Sequence, residues 1–274
     1  MSVGADLLQA FGQVAARSAL PRVRALHLPR MQSCGRKQSA FCALELDDGT
    51  IGLAYVGLRD ARAQLAQSDQ VSGADPLTLL RGCAQPEGAA RVLGFATVNA
   101  LTRWLFDRAG FVPPESRDSL GGIAAAPGVQ VGMVGLFLPL IDRVVQAGAD
   151  LTVLELPPDV PGDRGGWRVT LDPDDLAACS EVLCTSTVLL NDTLEGVRAA
   201  CRAARNFVLI GPGAGSLPDP LYSRGVTRLG GSWVREPAAV VDALQCGHAW
   251  SQHVRKFDLD RADYPGLQAL LARL

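Results

Sequence analysis

The sequence predicts an α/β protein: an N-terminal α+β domain followed by a Rossmann-like α/β domain with a mainly parallel sheet. Three observations predict it. From residue 129 onward, short apolar runs alternate with helix-spaced segments, the pattern of parallel strands joined by crossover helices. The first hundred residues instead read as a helix, one hairpin and further helices. Between them, residues 111–128 are rich in Pro, Gly and polar side chains, the composition of a connection. We therefore expect domains at 1–115 and 125–274, the second ending in a C-terminal helix.

Along the chain, Leu7, Leu8, Phe11, Val14 and Ala15 recur at helical spacing, so residues 5–20 form an amphipathic helix ended by Pro21. Residues 41–46 and 50–56 flank Asp47-Asp48-Gly49 and read as a β-hairpin on an Asp-Gly turn. A short helix follows Pro76 to about residue 83. A longer one spans 87–109, with Gly110 as its cap. In the second half, strands are expected at 129–134, 151–154, 181–184, 207–210 and 226–229. Helices are expected at 137–148, 173–178, 192–205, 236–246 and 265–274.

Of the 274 residues, 48% are hydrophobic and 20% charged, and the formal net charge is −2. That balance leaves no footprint for nucleic acid or an anionic membrane. No basic leader is visible, and no apolar run reaches the roughly 18 residues of a membrane helix. The 7 cysteines are odd in number and lack a CxxC, which favours free thiols and a reducing, cytoplasmic setting over a disulfide framework. A homodimer is the default assembly.

In an open parallel sheet, ligands bind beyond the carboxyl ends of the strands. Gly132 and Gly135, around the end of the first such strand, would let backbone amides approach an anion at a helix N-terminus. The pattern is not a full GxGxxG. Twenty residues beyond Gly135, Glu155 ends the second strand, where an acidic side chain accepts from ribose hydroxyls. Thr185, Thr187 and Asn191 follow the third strand and offer hydroxyls and an amide to a ligand, or a helix cap. Gly211 and Gly213 follow the fourth, in a loop with little side-chain bulk. Asn99 is a polar amide in an otherwise apolar helix, expected either to face a cleft between the domains or to bond local backbone.

Nucleophilic motifs are missing: there is no GxSxG and no HExxH. Cys184, Cys246, His248 and His253 are the candidate metal donors, although their spacing matches no standard zinc pattern. Cys34 and Cys42 flank the basic pair Arg36 and Lys37, which would favour thiolate if they met.

Several segments together resemble one family. Gly94-Phe-Ala-Thr-Val-Asn99-Ala100 is similar to its G-x-A-x-x-N-A helix. Val131-Gly-Met-Val-Gly135 and Val153-Leu-Glu155 resemble its first two Rossmann strands. Residues 185–195 are similar to T-G-T-T-L-x-N-G-T-x-E, and 209–213 with 221–231 to its G-P-S-x-P-L and F-x-x-G-V pieces. The family is the heavy-metal chelation family, DUF364, with its N-terminal DUF4213 domain. The resemblance implies an enolase N-terminal-like first domain, a Rossmann-like second one and a pocket between them. It also implies a role in handling or making metal chelators, through a pterin- or flavin-like compound. The chain departs from the pattern at Ser186 and Asp192, where the family has Gly, at Val188 for Thr, and at 213–215 for S-x-P. These changes fall on strand-end loops, so a ligand different from that of typical members is expected.

The functional expectation is a small-molecule-binding protein or enzyme with an interdomain pocket, in metal-chelator or metal-cofactor metabolism. The rival expectations are a nucleotide- or S-adenosylmethionine-dependent transferase and a direct metal-binding or metal-delivery protein. The cofactor is accordingly a metal ion or a nucleotide- or pterin-like molecule.

Overall fold

The computed structural model describes residues 2–30, 40–58, 60–67, 71–118, 120–156 and 160–274. Helix α1 (Val3–Ala15) starts where the Ser2 hydroxyl accepts from the Ala5 amide, and it buries Leu7, Phe11 and Val14. It is shorter than the expected 5–20. Strand β1 (Val23–His27), unexpected from the sequence, pairs antiparallel with β2 (Phe41–Leu46), which pairs with β3 (Ile51–Tyr55). The β2–β3 turn is the expected one, with Gly49 at φ +87°. Two short helices, α2 (Ala61–Gln67) and α3 (Pro76–Leu80), precede α4 (Ala89–Arg108). Gly110 takes φ +62° just beyond the end of α4, as a C-terminal cap requires.

Helix α4 is buried on nearly every side. It lies directly on β3: a Cβ at Gly52 would sit 2.2 Å from the Ala96 carbonyl oxygen and the Ala100 nitrogen. Glycine is what allows strand and helix backbones to touch there.

The second sheet contains β4 (Gln130–Val134), β5 (Asp150–Leu154), β6 (Gly162–Asp163), β7 (Trp167–Thr170), β8 (Glu181–Thr185), β9 (Asn206–Ile210), β10 (Arg228–Val234) and β11 (Val254–Asp260). Their spatial order is β11-β10-β9-β8-β4-β5-β7-β6. All neighbours are parallel except the two edge pairs, β10–β11 and β6–β7. The helices are α5 (Leu138–Gln146), α6 (Leu194–Ala200), α7 (Asp219–Tyr222), α8 (Pro237–Cys246) and α9 (Leu267–Leu271). Residues 173–176, expected to be α-helical, form a 3₁₀ turn. None of the helices among the described residues is long and apolar enough to cross a membrane.

The chain runs from β4 to β5 on one side, then returns to lay β8 on the other side of β4. This reversal of strand order opens a crevice beyond the carboxyl ends of β4 and β8. One continuous apolar core joins α1 and α4 (Leu7, Phe95, Leu105) to the large sheet (Cys184, Leu209, Leu259).

Candidate functional site

A cavity of about 710 Å³ opens at that crevice. Its floor and sides come from the residues that follow β4, β5, β8 and β9: Gly135 to Phe137, Glu155 and Leu156, Ser186 to Val188, Gly211 and Pro212. Phe41, Tyr55 and Leu58 of the N-terminal half close it from above. The Phe41 and Tyr55 rings meet edge to face, with centroids 5.4 Å apart.

Local geometry explains the glycines. Gly135 sits at φ +91°, and a Cβ there would lie 3.1 Å from Thr185 Cγ2. Gly211 has φ +129°, and its Cβ would lie 2.8 Å from Ser186 Oγ. The turns after β4 and β9 are therefore bare so that they can fit against the loop after β8. Both amides are used internally: Gly135 donates to the Leu154 carbonyl at 3.0 Å and Gly211 to the Gly230 carbonyl at 2.9 Å. The N–H groups of Gly135 and Gly211 themselves are therefore spent inside the fold.

The loop after β8 is held by its own side chains. Thr185 Oγ1 and Thr187 Oγ1 are 2.6 Å apart. In the orientation that satisfies both ends of its amide, Asn191 donates to the carbonyls of Val188 (3.2 Å) and Thr187 (3.3 Å) and to Thr193 Oγ1 (2.7 Å). Asp192 stands at φ +58°, the one non-glycine residue with positive φ among the described residues. The sequence resemblance places Gly at this position, which the backbone explains. Its carboxylate accepts from Arg91 at 2.6 Å.

Of the residues expected at the site, Gly135, Glu155, Thr185, Thr187, Asn191 and Gly211 line this one cavity. Three do not. Asn99 is buried, donating to the carbonyls of Leu53 (2.7 Å) and Gly213 (3.1 Å) and accepting from the Ser216 hydroxyl (2.9 Å). It borders a void of about 30 Å³ and is not among the residues lining the larger cavity, so α4 meets the loop after β9 through Asn99 without presenting it to that cleft. Gly132 lies inside β4 and faces Cys179 and Leu176, where a Cβ would come within 3.3 Å of each. Gly213 sits behind Ser186, its carbonyl taken by Asn99. The sequence missed the aromatic roof, because nothing local to residues 41–58 signals what the hairpin faces. Ser186 and Asp192, noted from the sequence only as departures on a strand-end loop, also line the cavity.

The four metal candidates stay apart in their roles. Cys184 is buried in β8 with its thiol held well above its ordinary pKa, first by burial and then by Cys201. Cys246 is exposed and donates to Asp242. His253 pairs with Glu236 at 2.9 Å. His248 follows α8, and its amide donates to the Ala243 carbonyl. Among the described residues, no group of three or more His, Cys, Asp or Glu side chains is arranged to hold a metal ion. Cys34, Arg36 and Lys37 lie outside the described residues. Cys42 is buried, its thiol pushed up to about 12 by burial.

A family model for DUF364, described as "Putative heavy-metal chelation", matches residues 120–261. An uncharacterized protein of Methanocaldococcus jannaschii is 26% identical over 141 residues, 51% of this chain and 52% of that protein, so the match spans about half of its length. Two solved structures share the fold. A DUF364 protein of unknown function from Desulfitobacterium hafniense aligns with TM-score 0.71 and 18% identity, over 94% of this chain and 99% of its own. Another from Pyrococcus horikoshii, also of unknown function, aligns with TM-score 0.65 and 16% identity, over 94% and 98%.

Proposed function

We propose that this chain, which belongs to the DUF364 family, binds a small organic molecule in the cleft beyond β4, β5 and β8 and serves metal-chelator or metal-cofactor metabolism. The supporting observation is the cavity itself. Its volume of about 710 Å³ suits a small-molecule site; such sites run to roughly 300–1,000 Å³, mostly apolar with a few polar groups. Leu154, Leu156, Leu171 and Phe137 supply the apolar walls, and Thr187, Asn191 and Glu155 the polar points.

The link to metals comes from the family description alone. In this reading the protein handles an organic chelator or its precursor, and the chelator carries the metal. The described side chains give no three-donor group for direct ligation.

Gly196 provides a clean test. It lines the cavity on α6, and a Cβ there meets nothing within 4 Å. Gly196→Phe should therefore fold normally while filling the cleft. Purified wild-type protein, denatured and analysed by mass spectrometry, should release a small molecule that the variant lacks. A wild-type protein and a variant with the same small-molecule content would overturn the reading.

A further inference from the structure

The charge of the cleft narrows what can occupy it. Among the described lining residues, only Glu155 and Asp192 carry charge. Asp192 is neutralised by Arg91 at 2.6 Å, a buried guanidinium that also donates to three carbonyls. Glu155 has no cationic partner among the described residues; its Oε2 accepts only from the Leu156 amide, at 3.2 Å. One uncompensated carboxylate thus shares the cleft lining with Leu154, Leu156 and Leu171. Apolar walls strengthen its field, so it repels anions and attracts cations or paired hydroxyls.

Little in the lining favours a phosphate: the amides of Gly135 and Gly211 are bonded inside the fold, Pro212 has no N–H, and none of the described lining residues is Arg, Lys or His. Across the crevice from Glu155 is Ser186, only 8% exposed, with its Oγ unpartnered among the described residues and turned toward Gly211 and Gly213. Glu155 follows β5 and Ser186 follows β8, with β4 between them. At about 4.8 Å per strand they stand roughly 10 Å apart, the span of a base and its ribose. A carboxylate in the position of Glu155, beside the strand-order reversal, is where a ribose diol is held in this topology.

We propose that the cleft takes an unphosphorylated nucleoside, neutral or cationic, with the ribose hydroxyls on Glu155, the base under Phe41 and Tyr55, and Ser186 as a polar contact at the far end. This rests on the reading of the cleft as the ligand site.

Calorimetric titration of the full chain with adenosine, S-adenosylmethionine and adenosine 5′-diphosphate tests it. Adenosine and S-adenosylmethionine should bind, with the diphosphate at least about tenfold weaker than either. Glu155→Gln should weaken S-adenosylmethionine at least about tenfold, and Ser186→Ala should weaken it about three- to tenfold, with both variants melting like the wild type when unliganded. Equal or tighter binding of the diphosphate, no effect of Glu155→Gln, or no binding by all three probes overturns the proposal. A non-nucleoside recovered from the wild type but absent from Gly196→Phe would refute the nucleoside while leaving the cleft as the ligand site. Loss of that difference would remove the cleft itself.

Discussion

The guanidinium of Arg91 meets the carboxylate of Asp192 at 2.6 Å, joining the first turn of α4 to the lip of the cleft. Arg91 is 2% exposed and also donates to the carbonyls of Leu189 (2.6 Å), Cys83 (3.0 Å) and Gln85. A buried cation is tolerated because each of its three nitrogens has an acceptor. The pair thus sets the position of the loop after β8 relative to the N-terminal half. Arg91→Met keeps the apolar stem but leaves three carbonyls and a carboxylate without their donor. It should cost about 3–5 kcal/mol, read as a lower urea midpoint with an unchanged slope. A loss below about 1 kcal/mol would mean that the guanidinium does not hold this loop.

Asp192 separates charge from backbone. At φ +58°, Asn and Gly are tolerated and Ala is strained. Asp192→Asn and Asp192→Gly should destabilise the protein by similar amounts, since both lose the charge facing Arg91. Asp192→Ala should be worse than either by about 1 kcal/mol. Thermal melts of the three variants measure this, and Ala matching Gly would show that the backbone there is not constrained.

How much of this was legible depended on whether a signal was local. The hairpin was readable because Asp48-Gly49 fixes a turn, and β4, β5, β8 and β9 because strands covered on both faces must be apolar. The strands the sequence hid are β1, β7 and β11, together with the two-residue β6. In β11, Val-Arg-Lys-Phe-Asp-Leu-Asp buries only alternate residues, since it is an antiparallel edge strand and its polar face stays open. In the site, strand-end position identified Gly135, Glu155 and Thr185. It could not distinguish Gly132, which is small to pack against Leu176 and Cys179, from Gly135, which is small to turn toward Thr185. That distinction exists only once the layers are stacked. Asn99 was singled out correctly as unusual, but its partners Leu53, Gly213 and Ser216 come from three distant segments, so its burial could not be read from the sequence.

Asn99→Ala strands two carbonyls and a hydroxyl at the contact between α4 and the loop after β9. The expected cost is about 1–3 kcal/mol. Since Asn99 does not line the cleft, affinity for whatever the cleft binds should change far less than it does in Thr187→Val. A variant with normal stability and lost binding would place Asn99 at the ligand.

Gly135→Ala combines positive φ with a Cβ 3.1 Å from Thr185. It should cost at least about 1 kcal/mol in a urea melt. Thr185→Ser removes the obstructing methyl, so the double variant should recover part of the loss. Strict additivity of the two changes would show that the turn does not press on Thr185.

Alkaline pH should unfold this protein through its thiols. Burial pushes Cys42 and Cys83 up to about 12, with Arg91 partly opposing the rise at Cys83. The ordinary thiol value is 9.0, so between pH 9 and 12 the folded chain keeps protons that the unfolded chain has lost. Stability is therefore complete below pH 9 and falls as pH rises toward 12, by up to about 1.4 kcal/mol per pH unit for each thiol. Tyr222 and Tyr264 are also raised by burial, then by Asp260 and Asp219 respectively, but from an ordinary value of 10.0. Between pH 9 and 10 the thiols, Cys179, Cys184 and Cys201 among them, thus titrate ahead of these tyrosines. Urea midpoints across that window should fall more steeply for the wild type than for Cys42→Ala/Cys83→Ala, even though the double variant starts lower because of its cavities. Parallel slopes would assign the alkaline transition to other groups.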